Sequence, residues 1–351
     1  MWQPHIDFRR LPEAVGSATQ PVIAVNPGAC LRVAKMLRQV SVPAEEEEFV
    51  LPPFATEELS NFFLWLVAVC HQTSPHGRAP LEGIVKGRLK RGWDYLAAKF
   101  AERSAVCPSL LKPQRWVSME GAEFRDLFQD AQSPIHDPEG RAALIRNLGA
   151  TMLEQGWTSL DGIYRMCDGR IATTQPNLLS ELRNFKAYAD PLQKKSFFLL
   201  ALMRNCGVWK FRDAESIGPP VDYHEVRGHL RLGTVSVQNE ALRRKLLLRM
   251  PVSAEENMDV RTAVLEAILL ISEESKVDSS RLHYLFWNVF RSCCPALRPH
   301  CKSCPANCSL PERYTPLAEL DGLRHCPFLG VCDSANSTEK YFEPVIETDF
   351  Y

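Results

Sequence analysis

This sequence has neither a long apolar run nor an excess of charge of one sign. No apolar stretch reaches the about 18 residues that a membrane-spanning helix needs, so we expect no transmembrane segment. The first residues, Met-Trp-Gln-Pro-His-Ile-Asp, carry no charged-then-apolar leader. With 41 Lys and Arg against 42 Asp and Glu, the formal net charge is −1. That balance excludes a protein that coats nucleic acid through bulk charge, so any such contact must come from local basic patches.

The spacing of apolar residues predicts a mostly α-helical fold without internal repeats. The chain has 351 residues, enough for one large domain or two ordinary ones, and 45% hydrophobic residues suit a globular core. Apolar residues recur every three or four positions in the segments 28–39, 59–72, 92–103, 120–128, 140–154, 160–166, 178–186, 191–205, 222–232, 238–249, 257–272 and 279–290. Asn26 is the expected N-cap of the first helix, and a small hairpin is expected near 82–92.

We divide the chain into three regions on this pattern. Residues 1–115 form a helical N-terminal region with the hairpin, after a Pro-rich irregular start, and contain an acidic run at 45–48 expected to be an exposed loop. Residues 116–290 form a helical core. Residues 291–351 form a cysteine-rich metal loop and a C-terminal tail.

Four cysteines near the end of the chain have the spacing of metal ligands. Cys294, Cys301, Cys304 and Cys308 read C-x6-C-x2-C-x3-C, and the intervening prolines stiffen the loop. Four thiolates within fifteen residues suit a [4Fe–4S] cluster or, alternatively, a structural zinc ion. Cys293 is a spare thiol next to Cys294 and could substitute for it as a ligand. Cys326 and Cys332 either pack near the cluster or act as small hydrophobes. Reduced thiols fit a cytoplasmic location, which we predict.

A second pattern surrounds Asp222. It follows Pro219-Pro220-Val221 and precedes a helical segment, so it sits naturally at a helix N-terminus, where free backbone N–H groups stabilise a carboxylate. A simple N-cap explains an isolated Asp at such a position. The four-cysteine loop about 70 residues downstream suggests more than a cap.

The order helix, linker, Pro-Val-Asp, helix and four-cysteine loop resembles the helix-hairpin-helix base-excision DNA glycosylases. The cysteine spacing is similar to the C-x6-C-x2-C-x5-C iron–sulfur loop of the endonuclease III type. The resemblance implies that Asp222 is catalytic and stabilises the cationic sugar as the N-glycosidic bond breaks. It places Lys194 and Lys195 where some members carry a Schiff-base lysine, although phosphate binding is the alternative. The Gly-x-Gly hairpin turn of that superfamily is missing before these lysines.

The whole-chain order also resembles the queuosine salvage family, which hydrolyses queuosine 5′-phosphate to free queuine. The similar segments are 26–37, 61–65, 92–96, Lys194-Lys195, 221–223, 282–290 and the aromatic Tyr351. That family lacks the four-cysteine loop. Both resemblances imply cleavage of a base–sugar bond, but one implies DNA as the substrate and the other a free modified nucleotide.

The predicted substrate is DNA with a flipped, modified and bulky base. The predicted role is base-excision repair or defence against phage with modified DNA. An extruded base needs aromatic faces and polar groups around it. The candidates for this base pocket are Phe62, Trp65, His71, Trp93, Tyr95, Tyr223 and His224. The candidates for phosphate contact in the cysteine loop are Arg291, Arg298 and Lys302. We expect a monomer without a membrane partner.

A third interpretation is a non-catalytic, metal-stapled DNA-binding protein. It predicts DNA binding without base release, and no effect of Asp222 on either binding or biological outcome.

Overall fold

The computed structural model describes residues 21–43, 52–132, 134–305, 308–320 and 323–351. Helices dominate this part of the chain, which confirms the predicted mostly α-helical class. The helices are α1 (Pro27–Leu37), α2 (Thr56–Ala68), α3 (Gly92–Val106), α4 (Pro113–Trp116), α5 (Gly121–Leu127), α6 (Pro138–Glu154), α7 (Leu160–Met166), α8 (Leu178–Leu182), α9 (Lys194–Asn205), α10 (Tyr223–Leu232), α11 (Glu240–Leu248), α12 (Ala254–Ser275) and α13 (Ser279–Ser292).

Six short strands form three antiparallel pairs among the described residues. The strands are β1 (Ile23–Val25), β2 (Glu82–Val85), β3 (Arg88–Arg91), β4 (Val235–Val237), β5 (Glu319–Leu320) and β6 (Leu323–Arg324). β2 and β3 are the predicted hairpin, joined by Lys86 and Gly87, which both have positive φ. Two positive φ values are what the tight two-residue hairpin turn requires.

The chain contains two compact units. The first comprises, of the described residues, 52–217 and 348–351, and the second comprises 21–43 and 218–347. The boundary at 217 divides the helical core that we predicted for 116–290, so compactness follows a different division from the three predicted regions. The predicted irregular start and the acidic run at 45–48 lie largely outside the described residues.

The first unit is built around α2. Every residue of this helix from Leu59 to Ala68 is buried, as expected of a helix that is apolar on all sides. Helices α3, α6, α7 and α9 pack around it. Because the stretch from Leu59 to Ala68 has no exposed face, its side chains form the centre of the core of this unit.

The second unit brings together two segments that are far apart in the sequence. β1 pairs with β4, from Ile23 opposite Val237 to Val25 opposite Val235, and α1 packs on α12. The Asn26 side chain accepts a hydrogen bond from Ala29 N at 3.2 Å, which confirms the predicted N-cap. Helix α10 packs against α12 and α13. None of the described helices is both long and apolar enough to cross a membrane.

Candidate active site and metal centre

Asp222 caps the N-terminus of α10 in the second unit. Its Oδ1 accepts hydrogen bonds from His224 N at 2.8 Å and from Glu225 N at 3.1 Å. Glu225 completes a capping box, because its Oε2 accepts from Asp222 N at 3.2 Å. Asp222 is only 7% exposed. The carboxylate is therefore held in one orientation, at the positive end of a buried helix.

A buried histidine supports this arrangement from α13. His283 Nδ1 lies 2.9 Å from Oε2 of Glu225, the same oxygen that accepts from Asp222 N. Glu225 is fully buried and His283 nearly so. The spacing Asp-x-x-Glu at 222–225 is a capping-box signal that sequence reasoning overlooked, whereas nothing local in the sequence points to His283.

Two arginines on α10 hold the start of the cysteine loop. Arg227 Nε donates to Cys294 O at 2.9 Å, and its Nη1 forms an ion pair with Glu343 at the same distance. Arg231 donates from Nη1 to Pro295 O at 2.9 Å and from Nη2 to Ala296 O at 2.6 Å. Both guanidinium groups are buried. The helix that begins at Asp222 is thus bonded directly to the backbone of the loop.

Close backbone packing fixes the same helix against α13. A Cβ built on Gly228 would lie 2.0 Å from the Phe290 ring, so only glycine fits without displacing that side chain. Phe290 also stacks on Phe286 at 5.6 Å between ring centroids. The position of α10 is therefore set by a close helix–helix contact as well as by its arginines.

The predicted aromatic and phosphate-binding residues of this unit have different surroundings. Tyr223 and His224 lie side by side at 4.2 Å between ring centroids, next to Asp222. The Arg291 guanidinium stacks 4.3 Å above the Trp287 ring, which in turn meets His224 edge-on. Arg298 and Lys302 are exposed on the loop. Tyr223 and His224 are the predicted pocket residues that the structure brings together with Asp222.

The cysteines gather in a different set from the predicted one. The Sγ atoms of Cys293, Cys304 and Cys308 all lie within 4.8 Å of one another, and these three residues could hold a metal ion. Cys293, the spare thiol that we expected could substitute for Cys294, lies in this triad, and Cys294 does not. The Cys294 Sγ instead accepts a hydrogen bond from Arg231 Nη1 at 3.2 Å. Cys301 is likewise outside the triad, so two of the four predicted ligands, Cys304 and Cys308, lie in it.

The predicted lysines belong to the first unit and are buried. Lys195 has no exposed surface, and its Nζ donates to Ala68 O and lies 3.2 Å from His71 Nδ1. Lys194 Nζ lies 5.1 Å above the Phe198 ring, which Trp93 meets edge-on. The predicted role of phosphate binding at a surface is therefore contradicted for Lys195, because its amine lies inside the core.

Burial controls the ionisation of this cluster. Desolvation lowers the pKa of Lys195 to about 7. Desolvation, and then the charge of Lys195, holds the pKa of His71 well below its usual range, so this imidazole is neutral. His71 Nε2 lies 3.6 Å from Asp349 Oδ1, and Arg141 Nη2 donates to His71 O at 2.7 Å. A lysine with a lowered pKa is a good nucleophile, but this one has no exposed surface from which to reach a substrate.

Replacing this lysine by methionine should change how stability depends on pH. Between about pH 7 and 10.5 the unfolded lysine holds a proton that the folded one lacks, so wild-type stability rises with pH. Lys195→Met removes this pH dependence of the free energy of unfolding, which amounts to roughly 1.4 kcal/mol per pH unit for one proton. We expect Lys195→Met to be the more stable protein at pH 7, with the gap closing towards pH 10. Denaturant titrations across this range, with exposed Lys186→Met as control, check it; parallel curves would contradict the buried, neutral amine.

Three of the predicted pocket aromatics lie in the core of the first unit. Trp65 stacks on Phe100 with 3.9 Å between ring centroids, and Phe62 stacks on the same ring at 5.2 Å. Tyr95 is also fully buried, and its hydroxyl donates to Phe128 O at 3.4 Å. Buried ring stacks of this kind stabilise a core, which corrects the prediction that these side chains line a base pocket. Trp93 is only half-buried.

Substitution of Trp65 distinguishes core from pocket. Trp65→Ala should lower the free energy of unfolding by about 3–5 kcal/mol, because it leaves a large cavity among stacked rings. Trp93→Ala should cost clearly less, since that side chain is half-buried. Chemical denaturation of the two variants measures both effects. Equal, small losses would show that Trp65 is not a core residue.

In the turn before the two lysines, a side chain of the turn itself accepts hydrogen bonds from the backbone N–H groups. The Asp190 carboxylate accepts from Leu192 N at 3.3 Å and from Lys194 N at 3.0 Å. In a phosphate-binding hairpin those N–H groups would face the nucleic acid. Here the Asp190 carboxylate accepts hydrogen bonds from these N–H groups and brings negative charge to the turn. This agrees with the missing Gly-x-Gly pattern.

Two cavities lie among the described residues, and Asp222 lines neither of them. One of about 510 Å³ in the second unit is lined by Leu248, Leu297, Lys340 and Phe342 among others. Another of about 370 Å³ in the first unit lies between Gln72, His136 and Arg141. Neither cavity is lined by the predicted pocket aromatics. No protein-family model matches this chain, and no curated protein matches it significantly.

Proposed function

We propose that this protein is an N-glycosyl hydrolase that releases a modified, bulky base from DNA, with Asp222 as the catalytic carboxylate. The observation that carries the proposal is the buried, doubly hydrogen-bonded Asp222 at the start of a helix whose arginines hold a cysteine loop. Burial and fixed orientation are what an electrostatic catalyst needs, because its charge is then strong and requires no reorganisation.

The proposed reaction is hydrolysis at the sugar C1′. The bond between C1′ and the base nitrogen breaks, and its electron pair leaves with the base, which takes up a proton. The sugar becomes cationic, and the Asp222 carboxylate stabilises that charge. Water then forms the new C1′–O bond while a carboxylate accepts its proton. In this proposal the neighbouring Tyr223 and His224, whose rings lie 4.2 Å apart, contact the substrate next to C1′.

The cysteine loop supplies the proposed DNA contacts. Arg298 and Lys302 are exposed on it, and Leu297 beside them is 73% exposed. An apolar side chain flanked by cations suits insertion between base steps, as in proteins that kink or open the duplex. Arg291 is instead stacked on Trp287, so its proposed phosphate contact requires the guanidinium edge to remain accessible.

A metal centre in this loop has a structural role in the proposal. Thiol side chains on 293–308 suit either the predicted [4Fe–4S] cluster or zinc. Bound metal would fix the loop, so that its carbonyls stay where Arg227 and Arg231 donate hydrogen bonds to them. It would thereby keep α10, and Asp222 at its start, in position. No redox step is part of the proposal.

A second candidate is hydrolysis of a free modified nucleotide, as in queuosine salvage. The observation that favours it is the Asp190 carboxylate, which occupies the turn where a DNA-binding hairpin would present its N–H groups. The base–sugar chemistry at Asp222 is the same in both cases.

Salt dependence separates the two substrates. Using the inactive Asp222→Asn protein, we expect affinity for duplex DNA carrying a bulky base to fall steeply with salt. The double variant Arg298→Gln/Lys302→Gln should reduce the logarithmic salt slope by roughly two. Lys186→Gln, an exposed lysine of the other unit, serves as the control. Salt-insensitive binding of a free nucleotide, without DNA binding, would support the second candidate against the first.

A further inference from the structure

The three gathered thiols are one ligand short of a tetrahedral metal site. Cys293, Cys304 and Cys308 lie within 4.8 Å of one another, and structural sites for zinc take four ligands. Thiolates bound about 2.3 Å from one zinc ion lie roughly 3.8 Å apart by tetrahedral geometry. In a [4Fe–4S] cluster each cysteine binds a different iron, so the sulfurs spread further apart. The spacing of this triad is therefore that of ligands around one ion.

Backbone hydrogen bonds bring a fourth cysteine to the triad from a distant part of the sequence. Cys304 N donates to Arg324 O at 3.0 Å, and Cys326 N donates to Cys301 O at 3.1 Å. These two bonds run between the segments 301–304 and 324–326 and hold them side by side. A further bond, from His300 N to Cys293 O at 2.7 Å, brings the loop back to the end of α13.

The burial of the cysteines points to the same set. Cys293 is 1% exposed, and its carbonyl accepts from His300 N, next to the Cys301 carbonyl that accepts from Cys326 N. Cys326 is 8% exposed, so its thiol faces the interior of the loop. Two other cysteines point elsewhere: Cys294 Sγ accepts from Arg231, and Cys332 Sγ donates to Arg231 O at 3.3 Å.

We infer that Cys326 completes a four-thiolate site with Cys293, Cys304 and Cys308, and that this site holds one tetrahedral, thiophilic ion of the zinc class. This inference deepens the proposed metal centre and rests on it. It replaces Cys294 and Cys301 as ligands and adds a residue 18 positions beyond the last predicted ligand. The site consequently ties the segment at 326 to the loop that α10 holds.

Metal analysis of matched serine variants tests the ligand set. Purified wild-type protein should contain one metal ion per chain, and Cys326→Ser should lose it to the same extent as Cys304→Ser. Cys301→Ser and Cys332→Ser, in the same loop region, should keep the metal. Loss of metal in Cys301→Ser with retention in Cys326→Ser would overturn the inference, as would four irons with inorganic sulfide per chain.

Alkylation of the wild-type protein gives a test that does not depend on variants folding. In native protein, iodoacetamide should leave Cys293, Cys304, Cys308 and Cys326 unmodified until a chelator is added, while exposed Cys107 reacts at once. X-ray absorption of the bound metal should show four sulfur ligands. Rapid alkylation of Cys326 before chelation would contradict the assignment. Base release is measured in a separate assay, so the inferred ligand set and the proposed activity can be refuted independently of each other.

Discussion

Asp222→Asn should reduce the single-turnover rate of base release by roughly 10²–10⁴-fold, the range typical of a lost catalytic acid or base. The fold should survive, because asparagine caps helices as well as aspartate does and its oxygen can still accept from His224 N and Glu225 N. The substitution removes only the negative charge, which in the proposed function stabilises the cationic sugar. Rapid-quench assays of the freed base measure the rate, and thermal denaturation checks the fold.

The chain offers a matched control for this substitution. Asp278 caps α13 in the same unit and accepts from Ser280 N at 2.9 Å and from Arg281 N at 3.4 Å. Asp278→Asn makes the same chemical change at the same kind of position. We expect it to leave base release unaltered. Equal activity of Asp222→Asn, Asp278→Asn and wild type would reduce Asp222 to a simple N-cap.

Removal of the metal should have the second largest effect. Without it, the carbonyls of Cys294, Pro295 and Ala296 are no longer held where Arg227 and Arg231 donate to them. Leaving buried guanidinium groups without their partners is costly. We expect the free energy of unfolding of the second unit to fall by several kcal/mol, a fraction of the about 10–16 kcal/mol reported for structural zinc in finger peptides.

Denaturation with and without a chelator measures this loss, and base release should fall in parallel because α10 loses its anchor. Restoring the metal should recover both. Cys107→Ser, which alters an exposed thiol of the other unit, should behave as wild type throughout. A chelated protein with unchanged stability and activity would show that the loop does not support Asp222.

Local patterns in the sequence predicted the helices well, and the reason is physical. A helix buries one face or all of its surface, so apolar spacing marks it regardless of what it packs on. The segment 160–166 was predicted with the bounds that α7 has, and Asn26 was predicted as a cap. The predicted segment 178–186 was too long, because α8 ends at Leu182 and a separate turn follows.

Local sequence patterns could not predict contacts between residues that are far apart in the sequence. The pairing of β1 with β4 joins residues more than 200 positions apart, and no spacing rule encodes the backbone bond from Cys326 N to Cys301 O, on which the inferred fourth ligand rests. The aromatic residues show the same limit. Phe62 and Trp65 have the composition of a base pocket, yet their burial on α2 depends on what surrounds that helix. Composition identifies the side chain, whereas tertiary packing decides whether it meets a ligand.

The charged residues were misjudged for a related reason. Lys194 and Lys195 were expected to bind phosphate or to react with the sugar, because the resemblance to the glycosylases places them where some members carry a Schiff-base lysine. Their helix α9 instead packs on α2, which buries both side chains. Arg227 and Arg231, which sequence reasoning passed over, prove to connect Asp222 with the cysteine loop.

Base release identified by mass spectrometry tests the central claim most directly. Wild-type protein is incubated with unmodified, oxidised, deaminated and hypermodified DNA, and in parallel with queuosine 5′-phosphate, and the freed bases are identified. We predict a bulky modified base freed from DNA by the wild-type protein and by Asp278→Asn, but not by Asp222→Asn. Tight DNA binding without release of a base from any of these substrates would contradict the account and leave a metal-stapled DNA-binding protein.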